Sequence, residues 1–388
     1  SIRKNAYRKD HDIIVFVDAD NDGTVEWLES VEDKYNLKYI VNNTDDLYGI
    51  GRAYDKCIDE SNTDIFMIFH ADMMLGKNAD LEAFKYLDRK KVVCATRIEP
   101  PLHPENGEKI IRDFGMWPEK DVEEGWLEED FDKYVEEAKV EYKDKTTNGC
   151  FAPWMMYKDD FISIGGHDPR FASAREDSDV FNRLSIGGFE LIQSWQSFVY
   201  HLTARGGQFQ HGKLTKEHNQ KSEEWQKLMN NSTREFFRKW GTPVLHDNLL
   251  KPIVPPKYDI GFVVKNCDER MLELLEPWCS TIYVDTYAED YIGKEQPNTT
   301  DDLTKKIYSI DVDIQNDIEV RFDGSKLNNQ NFNHIVQLSQ ILANDEELEV
   351  GSFELDIFEI QINKIKTYEE RLTVNKNTMF NTNREKVL

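Results

Sequence analysis

Four short stretches place carboxylates or imidazoles where loops follow apolar runs. DADNDGTVEWLE, Asp18 to Glu29, fits the calcium-loop template D-x-[DN]-x-[DN]-G-x5-E. Asp18, Asp20 and Asp22 would be oxygen ligands, Gly23 would make the turn and Glu29 would close the cage. An EF-hand also needs an entering helix. What precedes this loop is HDIIVFV, a β-branched and aromatic run that reads as a buried strand. DIFMIFHADMML ends a second apolar run with His70 and Asp72. A carboxylate just past a buried strand can hold a divalent cation against a diphosphate, although a short Asp-bearing turn after a strand is common without that role. REDSDVFNRL puts Glu176, Asp177 and Asp179 at the start of a helix with an apolar face of Val180, Phe181 and Leu184. The helix dipole favours acids there, so capping alone would explain them. In SFVYHLTARGG, His201 reads either as a metal ligand or as a satisfied core histidine, and Arg205 follows it. Before these, NGCFAPWMMYKDDFISIGGHDPRF offers glycines for tight loops and Trp154 as a flat apolar face; a core segment with a glycine turn is the simpler reading.

The elements that must position these residues alternate. From residue 12 to about 100 the order is IIVFV, TVEWLESVEDKY, LKYIV, IGRAYDKCIDES, DIFMIFH, DLEAFKYL and KVVCAT, strand and helix in turn. That alternation predicts a mostly parallel sheet covered by helices. Residues 99–147 interrupt it with EPPLHPENG and the acidic DVEEGWLEEDFDKYVEEAKVEYKD, which reads as a solvated helix with Trp126, Phe131 and Tyr134 turned inward. GTPVLHDNLLKPIVPPK, residues 241–257, reads as an interdomain linker because it is proline-rich and lacks a period. Residues 258–388 begin with a second strand-helix-strand unit, YDIGFVVKN, ERMLELLEPW and STIYVD.

Composition bounds the function. The 388 residues are 39% hydrophobic and 12% aromatic, enough for more than one globular core. No apolar run reaches the roughly 18 residues of a membrane span, and the start SIRKNAYRKD has no signal-peptide h-region, so the cytoplasm of a bacterial cell or phage-infected host is the expected compartment. Five scattered cysteines fit neither a disulfide framework nor a zinc site. The formal charge of -25 repels phosphate backbones, which makes extended nucleic-acid binding an unsuitable function. A small anionic ligand would need a divalent metal, an arginine or backbone amides to offset that charge.

Taken in order, these pieces resemble the GT-A-fold glycosyltransferases, family 2-like, which move a sugar from a nucleotide-sugar to an acceptor hydroxyl. VDADNDGT stands for the family's VDDGSxDGT turn and HADM for its DxD motif. GGHDPRF stands for GGFDExF, REDSDVFNRL for EDxDxxxRL, and YHLTARGG for the late histidine-bearing strand. The resemblance covers residues 1–240 and implies an α/β GT-A fold, Rossmann-like, followed by a smaller α/β C-terminal domain. It implies Mn2+ or Mg2+ on Asp72 and His201, and a nucleotide-diphosphate sugar, a UDP-sugar first, contacted by Asp18, Asp20, Arg52, Asp72 and Arg205. Asp177 would be the general base of an inverting transfer, with Glu176 beside it, and Trp154 and Asp179 would shape the site for a saccharide or other hydroxyl acceptor. The pattern departs from the family at two places. The family opens with a strand upstream of a helix like SIRKNAYRK, where this chain starts, and His70 stands where many members carry the first Asp. The other readings are a calcium-binding protein built on Asp18 to Glu29, a catalytically dead sugar-binding scaffold, and a retaining or DNA-modifying phage glycosyltransferase.

Overall fold

The structure is a computed structural model and describes residues 1–18, 23–44, 47–115, 125–202, 223–368 and 374. The elements up to residue 201 are α1 (Ile2–Asn5), β1 (Ile13–Val17), α2 (Thr24–Tyr35), β2 (Leu37–Val41), α3 (Ile50–Glu60), β3 (Ile65–Ile68), β4 (Met73–Leu75), α4 (Ala79–Phe84), β5 (Lys91–Glu99), β6 (Lys109–Ile111), α5 (Glu128–Glu141), β7 (Thr146–Thr147), β8 (Trp154–Tyr157), α6 (Lys158–Ser163), α7 (Glu176–Ile186) and β9 (Glu190–His201). After them come α8 (Glu223–Trp240), β10 (Ile260–Lys265), α9 (Glu269–Leu275), β11 (Thr281–Val284), α10 (Glu289–Glu295), β12 (Ile307–Ser309), β13 (Ile318–Asp323), α11 (Asn329–Asn344), β14 (Gly351–Leu355) and β15 (Phe358–Ile362). No helix among the described residues is long and apolar enough to cross a membrane.

Two compact units result: Ser1–Leu228 with His246–Pro252, and Met229–Leu245 with Ile253–Leu388. In the first unit β1 and β2 pair in parallel. A seven-stranded sheet has the order β3-β8-β5-β9-β4, with β6 on β5 and β7 on β9. The sheet is mixed. β5 runs parallel to β9 and β6, whereas β8 enters antiparallel between β3 and β5, and β4 and β7 pair antiparallel with β9.

The long strand β9 is buried along its whole length after Glu190, polar residues included, because it is covered on both faces. Phe198, Tyr200 and Leu202 join a cluster with Phe114, Phe131, Val135 and Ala138, while Val199 joins one with Val92, Cys94, Trp154 and Phe181. The acidic helix α5 turns Phe131, Val135 and Ala138 inward at helical spacing, and Trp126 and Tyr134 pack against the same cluster. Its first turn carries Glu128, Glu129 and Asp130, where the dipole favours them.

The second unit has a six-stranded sheet, β12-β11-β10-β13-β15-β14, in which the first four strands are parallel and the β14–β15 hairpin closes one edge. In such sheets the turn after the central strand commonly offers amides to a phosphate. Here Asp285 takes those amides, accepting from Asn266 N at 2.7 Å and Cys267 N at 3.0 Å.

The domain boundary differs from the sequence reading. Arg234 and Arg238, one turn apart on α8, reach Glu295 and the fully buried Glu276, so the helix from Met229 onward belongs with the second unit. Proline content reads 241–257 as a linker, yet Leu249 O accepts from Cys150 N and Asn248 O from Gly107 N, which places His246–Pro252 in the first unit. Backbone pairing of this kind leaves no mark on composition.

Candidate active site

The β4–β9 pairing builds the centre of the site. Met73 is the register partner of His201, and Leu202 N donates to Asp72 O at 2.8 Å, so the residue before β4 and the last residue of β9 are fixed side by side. His70 belongs to the turn that enters β4, where its carbonyl accepts from Met73 N. The result is one cluster in which a ligand atom of each of His70, Asp72 and His201 lies within 4.8 Å of the others. It is the only such group among the described residues. His201 Nε2 is 3.5 Å from Asp72 Oδ2, and its Nδ1 is 2.7 Å from Glu99 Oε1.

The electrostatics of the cluster follow from burial. Burial pushes the His70 pKa down to about 4 against the pull of Asp72, which leaves the ring neutral near pH 7, the form that binds a metal. Burial works against the Asp72 carboxylate, but its bond to His201 and the two imidazoles outweigh it and hold the pKa below the usual value. Burial also works against the charged form of His201; Asp72 and Glu99 overcome it and raise that pKa.

Helix α7 brings in the second group of acids. It is preceded by two left-handed non-glycine residues, Ala174 at φ 65° and Arg175 at φ 71°, a conformation that stores strain and is concentrated at functional sites. Ala172 O accepts from Ile50 N, tying this turn to the start of α3. Gly51 then sits where a Cβ would come within 2.9 Å of His167 Cβ and 3.4 Å of Glu176 Cβ, so a glycine is needed for the close approach. Asp55 on α3 holds the buried His167 at 2.6 Å through Nδ1 and also accepts from its backbone amide.

Tyr54, next on α3, joins the two groups. Its ring stacks on His70 with centroids 6.1 Å apart. Its hydroxyl pKa is raised, first by burial and then by the charges of Glu176 and Asp72, with a smaller part from Asp177.

A family comparison bears on the part of this arrangement up to residue 164. Residues 1–164 match the model of glycosyl transferase family 2. The N-terminal region is thus a family 2-like glycosyltransferase domain with the GT-A type of α/β fold, and a further α/β unit follows it. Solved structures with some likeness include GalNAc-T7 with UDP, GalNAc and Mn2+ (14% identity, TM-score 0.40, 62% of this chain and 46% of that one). S. aureus TarS is a second (12% identity, TM-score 0.36, 61% and 40%). S. aureus TarS 1-349 in complex with UDP is a third (12% identity, TM-score 0.34, 61% and 65%). The chain therefore spans less than two thirds of the length of each. No curated protein matches it.

In the glycosyltransferase domain the residues singled out from sequence have different fates. Asp72 and His201 meet, and the charges of Glu176 and, less strongly, Asp177 raise the Tyr54 pKa. Trp154 is 2% exposed on the interior strand β8, packed against Phe66, Phe161 and Phe181, so its face is not free to stack on a sugar. Asp179 is fully buried and paired with Arg183 at 2.8 Å, one helical turn on, so it supports α7 from inside and does not line an acceptor site. The Asp18 carboxylate accepts from Asn42 Nδ2 at 2.9 Å, Tyr48 N at 2.7 Å and Gly49 N at 3.0 Å. It thereby anchors the loop that leads into α3 and uses most of a carboxylate's roughly four acceptor positions. Arg52 lies over the Tyr48 ring at 4.3 Å. Asp20 and Arg205 lie outside the described residues. The strand β1, not a helix, enters the Asp18 loop.

The sequence pattern puts His70 where the family carries an Asp, and it offers no role for Tyr54, Glu99 or the Asp55–His167 pair. The one local signal for His70 was its spacing from Asp72; the others carry no motif.

Glu176 yields a pH test. Its Oε2 is buried without a hydrogen-bond partner among the described residues, and burial, with Asp177 as neighbour, raises its pKa to about 8. The folded state therefore keeps a proton that the unfolded state releases above its ordinary value near 4.5, so stability falls as pH rises from there to about 8 and is flat beyond. Glu176→Gln removes this penalty. The variant should melt above wild type at pH 8.5 and close to it at pH 4.5, read by thermal unfolding at both. A difference in melting temperature that does not change with pH would contradict the assignment.

Proposed function

We propose that this chain is a metal-dependent, inverting glycosyltransferase that carries a sugar from a nucleoside-diphosphate donor, a UDP-sugar first, to the hydroxyl of a saccharide or similar acceptor. The observation that carries the reading is the His70–Asp72–His201 cluster, whose His70 ring stacks on Tyr54. Two imidazoles and a carboxylate fit a divalent cation, and the imidazoles favour Mn2+ over Mg2+, which prefers an all-oxygen set. When bound, such a cation neutralises the diphosphate leaving group as the glycosidic bond breaks.

In this reading Asp177 acts as the base. Its Oδ1 is anchored by Ser178 N at 2.6 Å and Ser178 Oγ at 3.2 Å, which leaves Oδ2 to take the acceptor proton. The acceptor oxygen then bonds to the anomeric carbon from the face opposite the departing phosphate oxygen, and the electrons of the broken bond leave with the nucleoside diphosphate. Glu176, which keeps its proton to about pH 8, adds no second negative charge beside the base near neutrality. Asp18 and Arg52 support the donor side, Asp18 by holding Asn42, Tyr48 and Gly49 and Arg52 by lying over the Tyr48 ring.

The test is a screen of nucleotide-sugars with Mn2+, followed by NMR of the first transfer product. Inverted anomeric configuration is expected. Retention would remove the single displacement and with it the role given to Asp177.

A further inference from the structure

The buried Glu99 makes contacts that its place at the end of β5 does not require. Oε1 accepts from Arg97 Nη1 at 2.7 Å and faces His201 Nδ1 at 2.7 Å, while Oε2 accepts from Lys109 Nζ at 2.9 Å. Arg97 also bonds Glu108 and lies 3.5 Å over the Phe151 ring. The parallel register pairs Arg97 with Lys109 across β5 and β6, which builds a quartet of two cations and two carboxylates, all buried. The quartet is balanced in charge, and with both oxygens held the Glu99 carboxylate cannot turn.

We infer that Glu99 is a positioning residue: it fixes His201 in the tautomer with the proton on Nδ1, so that the Nε2 lone pair is presented beside Asp72 to a divalent cation. An ionised carboxylate clamped by Arg97 and Lys109 can only accept, so Nδ1 must donate. In the neutral ring the remaining nitrogen is then the ligand atom, and it lies 3.5 Å from Asp72 Oδ2. This rests on the metal-dependent reading above and adds a residue to which no sequence motif points.

The alternative is that Glu99 only completes the quartet, and Glu108 separates the two ideas because it shares the quartet without touching His201. Glu99→Gln keeps the shape, but its NH2 must face a donor whichever way it turns; the orientation that keeps Lys109 satisfied demands the other tautomer of His201. With the full-length chain, Mn2+ binding followed by calorimetry and electron paramagnetic resonance should weaken about 10- to 100-fold in Glu99→Gln, the usual range for loss of such a partner, and stay near wild type in Glu108→Gln. Nitrogen-15 NMR of the metal-free wild type should show His201 protonated at Nδ1. Equal weakening in both variants, unchanged affinity in Glu99→Gln, or a wild-type ring with no proton on Nδ1 would each overturn the inference. A wild type that binds no Mn2+ would sink the metal reading instead, and the NMR result would still decide what Glu99 does to His201. The same NMR measurement serves if Glu99→Gln does not fold.

Discussion

Asp177→Asn should retain donor affinity and thermal stability while transfer to acceptor falls by about 100- to 10,000-fold, the usual cost of losing a general base. The structure makes the substitution a clean one. Asp177 lies in the first turn of α7, after the capping position held by Arg175, and its carboxylate accepts from Ser178 N at 2.6 Å. An asparagine oxygen can accept the same bond, so the helix start should survive. The amide cannot take a proton, so chemistry should not. If the acid served only the helix dipole and the Ser178 amide, the variant would turn over almost normally. Near-normal turnover with a single NMR-verified product would therefore remove Asp177 from the mechanism.

The second large effect should come from His201. His201→Ala should reduce nucleoside-diphosphate binding in Mn2+ to the level seen with a chelator and lower transfer by at least about 100-fold, because a Lewis acid at the leaving group supplies several kcal/mol and each 1.36 kcal/mol is a factor of ten. The fold should persist for two reasons. The β4–β9 pairing uses the backbone at this position, with Met73 in register with His201 and Leu202 N bonded to Asp72 O. Glu99, deprived of His201, keeps Arg97 and Lys109. Asp72→Ala should behave in the same way. The measurement is titration of UDP by calorimetry in Mn2+ and in chelator, with circular dichroism to verify folding. Wild-type affinity that is indifferent to the chelator would refute a metal at this cluster.

How far the sequence could be read depended on whether a feature is local. TVEWLESVEDKY and LKYIV became α2 and β2 with the expected bounds, since the 3.6- and 2-residue periods are set by neighbours along the chain. α5 likewise turns the expected Phe131 inward, with Trp126 and Tyr134 packed against the same cluster, although it starts at Glu128, later than the acidic run suggests, and also buries Val135 and Ala138. The pairing of Asp179 with Arg183 could have been found from its i,i+4 spacing, which is the natural separation for a helical ion pair. Trp154 shows the opposite limit. An aromatic side chain after a glycine-bearing turn looks the same whether it faces a sugar or a core, and only the insertion of β8 between β3 and β5 decided that it is covered.

By itself, then, the sequence determined the alternating elements, the excess of negative charge and the order of motifs that ends β3 near His70, precedes β4 with Asp72 and ends β9 with His201. Which of those residues meet was decided by the sheet. β9 carries an irregular register against β5 between Ala95 and Thr96, so that beyond it Ile98 pairs with Tyr200 and Glu99 reaches the ring of His201. Antiparallel β4 then delivers Asp72 to the other ring nitrogen. Strand order and register are fixed by burial of side chains far apart in the chain, and a one-residue slip would turn every side chain to the opposite face. Glu99 could therefore be assigned a role only in the folded molecule, because nothing adjacent to it in sequence records which strand lies beside it.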